Sequence, residues 1–145
     1  MKAASLAAFF MESVNQKVNI ILPKGIELFI KREDLLHPII SGNKYRKLKY
    51  NLVAAKDQGF KKLLTFGGAF SNHIAAVAGA GKEFGFETIG IIRGEEIKDK
   101  IQDNPSLQFA QENGMQFHFV DRTTYKNKTD ATFVEELQQL YGDFY

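Results

Sequence analysis

From residue 61 onward the chain switches regularly between two hydrophobic periods. Short apolar runs at 61–66, 87–92 and 115–120 read as buried strands, and each is followed by helical spacing, at 71–84, 105–112 and 131–141. Strands separated by helices need crossover connections, so the pattern predicts an α/β fold with a three-layer parallel sheet and crossover helices. Upstream the pattern is shorter-ranged. Residues 18–22 suit a strand, Pro23-Lys24-Gly25 a turn, and 26–32 a stronger strand leading into a loop at 33–41 that Pro38 keeps extended. Between 43 and 58, Tyr45, Leu48, Leu52, Val53 and Lys56 give a mostly helical spacing with one basic face, and Gly59 is placed to stop that helix. The stretches 93–104 and 121–130 are polar and read as solvated connections.

Composition narrows the classes. The 145 residues, 44% hydrophobic and 12% aromatic, fit one domain with a genuine core. A net charge of +2 is too small to imply a nucleic-acid partner, and the basic cluster from Lys44 to Lys49 lacks the interleaved aromatics and glycines of an RNA platform. With no cysteine there is neither a disulfide framework nor a cysteine metal site, a composition that suits a reducing cytoplasm. The acidic residues are not spaced as a metal set, so no metal is assigned. Met1-Lys2 followed by an apolar run at 3–11 superficially resembles an export signal. The run ends at Glu12 without a convincing cleavage site and is too short for a bilayer, so it reads as a peripheral segment and no membrane partner is expected.

Two segments carry candidate chemistry. In Ser41-Gly42-Asn43-Lys44-Tyr45-Arg46-Lys47-Leu48 a lysine stands at the start of the first predicted helix. An ammonium is not nucleophilic until it loses a proton; neighbouring Arg46 and Lys47, and burial beside a ligand ring, would favour that loss. The same lysines also suit the solvated face of a helix. In Gly67-Gly68-Ala69-Phe70-Ser71-Asn72-His73 a glycine turn joins a strand to a helix. Glycine there allows positive φ and close backbone approach, and the free N–H groups of the helix start attract a carboxylate or phosphate. Ser71 or Asn72 also suits a plain helix cap, and His73 a packing or surface residue. An amine in one segment and an anion-binding turn in the other suit chemistry on an aldehyde cofactor, which points to pyridoxal 5'-phosphate.

Ile30-Lys31-Arg32-Glu33-Asp34, Gly42-Asn43-Lys44-Tyr45-Arg46-Lys47-Leu48 and Gly67-Gly68-Ala69-Phe70-Ser71-Asn72-His73, in this order and spacing, resemble the 1-aminocyclopropane-1-carboxylate deaminase and D-cysteine desulfhydrase family. These are pyridoxal phosphate enzymes of the two-domain tryptophan synthase β-like fold (fold type II). The resemblance is specific from 26 to 94 and looser beyond. The Gly-Asn-Lys context also separates the chain from cysteine and threonine synthases, which place their lysine in a Ser-x-Lys-x-Arg setting. The resemblance implies that Lys44 is the Schiff-base lysine and the base at the α-carbon. It makes Asn72 a partner of the cofactor 3′ oxygen, and Ser71, Asn72 and His73, with adjacent amides, the substrate-binding set that holds the carboxylate. In the family this serine is also discussed as a proton carrier or nucleophile, so Ser71 joins Lys44 as a catalytic candidate.

The resemblance further implies a small amino-acid substrate and a homodimer. Family members are expected to be about twice as long. Their glycine-rich phosphate loop and ring-nitrogen partner lie downstream of any position here, so the chain is expected to be an amino-terminal portion. Residues 1–45 would then belong to the large cofactor domain and 46–145 to a smaller parallel α/β domain. D-cysteine elimination to pyruvate, sulfide and ammonia is the preferred activity, with the cyclopropane amino acid second. Two readings of other classes stay open: a non-catalytic α/β module that uses the Gly67 to His73 turn to hold an anion, and a purely structural or interaction domain.

Overall fold

The computed structural model describes residues 12–145. In chain order its regular elements are β1 (Asn15–Lys17), β2 (Phe29–Lys31), α1 (Gly42–Asp57), β3 (Lys62–Gly68), α2 (Asn72–Phe84), β4 (Glu87–Arg93), α3 (Pro105–Glu112), β5 (Gln116–Val120), α4 (Arg122–Lys126) and α5 (Ala131–Tyr141). The peripheral segment expected at 3–11 lies outside the described residues.

β3, β4 and β5 form a parallel sheet in that order, with Leu63 beside Thr88 and Ile91 beside His118 in the register. Side chains alternate across a strand, so each strand serves two cores. Leu63 of β3 and Ile92 of β4 join a core built with Tyr45, Leu48 and Leu52 of α1, Ile74 and Val77 of α2, and Leu107 and Ala110 of α3. Ile89 and Ile91 of β4, with Leu64 and Phe66 of β3, face the other way onto Tyr125 of α4 and Phe133, Leu137 and Tyr141 of α5. The result is the three-layer parallel sheet that the hydrophobic pattern predicts. β4 is the central strand and is buried on both faces, which explains its continuous apolar run. Tyr145 lies along the free edge of β3. Its N–H donates to the Lys62 carbonyl and its carbonyl accepts from the Leu64 N–H, both at 3.0 Å, the pattern of a parallel strand pair.

The amino-terminal region differs most from expectation. β1 lies at 15–17 instead of 18–22, and β2 is confined to three residues, because the two pair as a short antiparallel hairpin with Lys17 opposite Phe29. The turn residues Lys24 and Gly25 both take positive φ, 58° and 68°, and end the pairing early. The expected connection at 93–104 contains a 3₁₀ segment, Glu95–Asp103, and the one at 121–130 contains α4, whose start is capped by the Asp121 carboxylate accepting from Thr123 and Thr124 N–H groups. The 3₁₀ segment turns Ile97 and Ile101 onto the core, two apolar positions too few to mark a helix in a polar stretch, whereas α4 rests on its Asp121 cap. α1 ends as expected, with Gly59 at φ 81° immediately beyond it. Among the described residues no helix is long and apolar enough to cross a membrane.

Candidate functional site

The two motifs come together at the starts of α1 and α2. Gly42 opens α1 with φ 60°, a left-handed conformation that glycine takes without a Cβ penalty, and this sharp entry sets Asn43 and Lys44 in the first turn. Lys44 is partly buried and its Nζ donates to the Asn43 Oδ1 at 3.1 Å. Tyr45, fully buried beside it, anchors the turn in the core.

The turn after β3 is built differently from the sequence expectation. Neither Gly67 nor Gly68 takes positive φ. Gly67 is required instead by close approach. A Cβ there would stand 2.4 Å from Ile74 Cγ1 and 2.8 Å from Ile74 Cδ1, so the absence of a side chain lets α2 begin directly against the end of β3. Ser71 caps α2, its Oγ accepting from the His73 N–H at 3.2 Å and the Ile74 N–H at 3.4 Å. Both bonds use the oxygen as acceptor, which leaves the hydroxyl proton free to be donated to a ligand. Asn72 is exposed, and its side-chain amide makes no hydrogen bond within the described residues. Ser71→Ala is expected to cost about 0.5–2 kcal/mol through the lost cap, read by chemical denaturation, whereas Ser71→Thr keeps most of it.

His73 reports how close the two helix starts are. Its ring is partly buried, and its pKa is lowered from the ordinary value of 6.5, first by desolvation and then by the positive charges of Lys44 and Lys47. The neutral ring therefore contributes stability that is complete above pH 6.5 and is lost as pH falls through the depressed value. NMR titration should show His73 protonating below the ordinary histidine range, with Lys44→Ala moving the midpoint upward. An unmoved midpoint would show that the two motifs are not neighbours. His73 also lines a largely apolar cavity of about 210 Å³ between α1, α2 and the edge of β3, together with Leu48, Asn51, Val77 and Tyr145.

A second set of charges braces α1. The Glu33 carboxylate accepts from Arg46 Nε at 2.8 Å and Nη2 at 2.9 Å, and from the Ser13 hydroxyl at 2.6 Å. These donors, Arg46 first, hold its pKa down at about 2. Glu33 and Arg46 thus tie the Lys31-Arg32-Glu33-Asp34 segment to the turn that carries Lys44, a linkage that the separate motifs in the sequence do not show. Sequence reasoning also missed Arg93 and Arg122, which line a cavity of about 380 Å³ with Gly68, Ser71 and Glu96. The available signal was position: both arginines stand where a strand ends.

No protein-family model matches the chain. Relatives do. A Pyrococcus abyssi protein named provisionally as a 1-aminocyclopropane-1-carboxylate deaminase is 40% identical over 73 residues, covering 50% of this chain and 22% of that protein. The mitochondrial bifunctional D-cysteine desulfhydrase/1-aminocyclopropane-1-carboxylate deaminase of Arabidopsis thaliana is 40% identical over 76 residues, covering 52% of this chain and 19% of the relative. The chain is related to the 1-aminocyclopropane-1-carboxylate deaminase and D-cysteine desulfhydrase proteins. The crystal structure of an ACC deaminase homologue matches 92% of this chain with a TM-score of 0.68 at 28% identity, over 40% of that structure. A hydrogen sulfide-producing enzyme from Fusobacterium nucleatum shares the fold, with a TM-score of 0.63 at 16% identity over 99% of this chain and 46% of that one. The matched stretches are thus about a quarter or less of the deaminase and desulfhydrase relatives named here, and less than half of these solved structures. The three-layer sheet is the fold that this chain has in common with the fold type II deaminase relatives.

Proposed function

We propose that the chain forms part of a pyridoxal phosphate-dependent deaminase or carbon–sulfur lyase acting on a small amino acid, with D-cysteine elimination as the favoured reaction and opening of the cyclopropane amino acid as the second. The observation that carries this reading is that α1, whose first turn bears the partly buried Lys44, packs beside the Ser71-capped α2, with His73 sharing a cavity with Leu48 and Asn51 of α1. The donor set fits the cofactor: a primary amine at Lys44 for its aldehyde, an unengaged amide at Asn72 for its ring oxygen, and a free hydroxyl proton at Ser71 for the substrate carboxylate. Bound there, the cofactor supplies an electron sink for the carbanion at the substrate α-carbon.

The chain's own residues do the rest. Lys44 would hold the cofactor by its aldehyde and would take the proton from the substrate α-carbon. Ser71, with the amides of the α2 start and neutral His73, holds the carboxylate, and Ser71 is placed to relay a proton. Asn72 orients the ring. For D-cysteine the Cα–H proton is removed and the Cβ–S bond breaks with its electron pair on sulfur. Addition of one water then yields pyruvate, hydrogen sulfide and ammonia.

The proposal includes residues 1–45 as part of a large cofactor domain and 46–145 as a smaller domain, with homodimer formation and a cytoplasmic location. Leu36 and Ile40 belong to the same core cluster as residues of α2 and α3. The Arabidopsis relative is mitochondrial by name. The reading is tested by incubating the full-length protein and pyridoxal phosphate with each enantiomer of cysteine and with the cyclopropane amino acid. Pyruvate with sulfide supports elimination, a four-carbon 2-oxo acid with ammonia supports ring opening, and no product from any of them contradicts the enzyme reading.

A further inference from the structure

The carboxyl ends of the three parallel strands converge on one cavity of about 380 Å³. Gly68 ends β3, Arg93 ends β4, and Arg122 follows β5. Crevices beyond the carboxyl ends of parallel strands are where α/β sheets bind ligands. The cavity also includes Ser71, so it shares a wall with the proposed carboxylate site.

Its charges are unbalanced. Glu96, the acidic residue lining it, is already engaged by Arg122 Nη2 at 3.2 Å. Arg93 has no carboxylate partner among the described residues. Its guanidinium instead lies over the Tyr125 ring, 5.6 Å from the centroid, which steadies the group without neutralising it. Lys128 Nζ stands over the same ring at 5.1 Å and adds positive charge. Gly68 lies beside this guanidinium, where a Cβ would stand in ordinary van der Waals contact with Arg93 Nη2 at 3.8 Å. An unpaired planar fork at the mouth of a cavity is suited to a carboxylate, sulfonate or phosphate.

We propose that this cavity receives a second anionic group of the substrate, so that the preferred substrate is a β-substituted alanine whose leaving group carries its own negative charge, with Arg93 as the specificity-determining residue. This rests on the proposed reaction. Elimination then expels the anion with the Cβ–X electron pair, the Cα proton goes to Lys44, and water completes the release of pyruvate and ammonia.

The experiment compares O-phosphoserine with cysteine of the same configuration on the full-length protein loaded with pyridoxal phosphate. The wild type should give a higher kcat/KM for the phosphorylated substrate. Arg93→Gln should lower the ratio of the two kcat/KM values about 10- to 100-fold, the size expected for a lost charge-assisted hydrogen bond, and Arg93→Lys should restore part of it. A second readout needs no turnover: inorganic phosphate titrated into the protein should shift the amides of Gly68, Ser71 and Arg93, and Arg93→Gln should abolish the shift. Lys44-dependent turnover of cysteine with an unchanged ratio in Arg93→Gln would overturn this inference and leave the proposed reaction standing. Absence of Lys44-dependent turnover of any amino acid would overturn both.

Discussion

Lys44→Ala is expected to lower kcat by at least about 10²–10⁴-fold, the range set by removing a positioned acid–base group, with further loss from the missing covalent hold on the cofactor. The fold should survive. Lys44 is on the first turn of α1, its recorded partner is the side chain of its neighbour Asn43, and the core side of that turn is Tyr45, Leu48 and Leu52. The variant should therefore match the wild type in circular dichroism and thermal melting while losing turnover. Lys44→Arg is a sharper control, since it keeps a positive charge near His73 yet cannot supply a free amine at neutral pH. Comparable activity in either variant would place the chemistry elsewhere in the chain.

Ile74→Ala should produce the largest loss of stability, about 2–5 kcal/mol, because Ile74 is fully buried and fills the space under the β3–α2 turn. Gly67→Ala attacks the same contact from the other side, with an added Cβ overlapping Ile74 Cγ1 and Cδ1, and should cost about 1–3 kcal/mol. The two changes are complementary. In Gly67→Ala/Ile74→Ala the new methyl enters space vacated by the isoleucine, so the double variant should be less destabilised than the sum of the singles. Denaturant unfolding of all four proteins measures the coupling. Strict additivity would mean that the Gly67–Ile74 contact does not set the turn. The consequence reaches function, because the same turn carries Ser71 and Asn72.

The parallel sheet was legible because each strand from β3 onward, and each of α2, α3 and α5, announces its own period. The apolar runs at 61–66 and 87–92 have too little polar interruption for an exposed strand, and β4 is indeed buried on both faces. The hairpin was less legible. Val18, Ile20 and Ile21 look like strand residues, yet pairing is governed by where the Pro23-Lys24-Gly25 turn reverses the chain, and that places β1 three residues earlier. At the site, the segments themselves were visible as motifs. The sequence did not reveal that Gly67 serves packing rather than positive φ, since both uses demand the same residue. Nor did it reveal Glu33 bracing Arg46 or Arg93 sharing a cavity with Ser71, because residues 13 and 22 positions apart have no local signature.

The most direct measurement is the location of the cofactor. The full-length protein is incubated with pyridoxal phosphate, reduced with borohydride, digested and read by peptide mass spectrometry, with Lys44→Ala in parallel. A single pyridoxyl adduct on Lys44, absent from the variant, is the predicted result. An adduct spread over surface lysines, or a specific one at another lysine, would contradict the account.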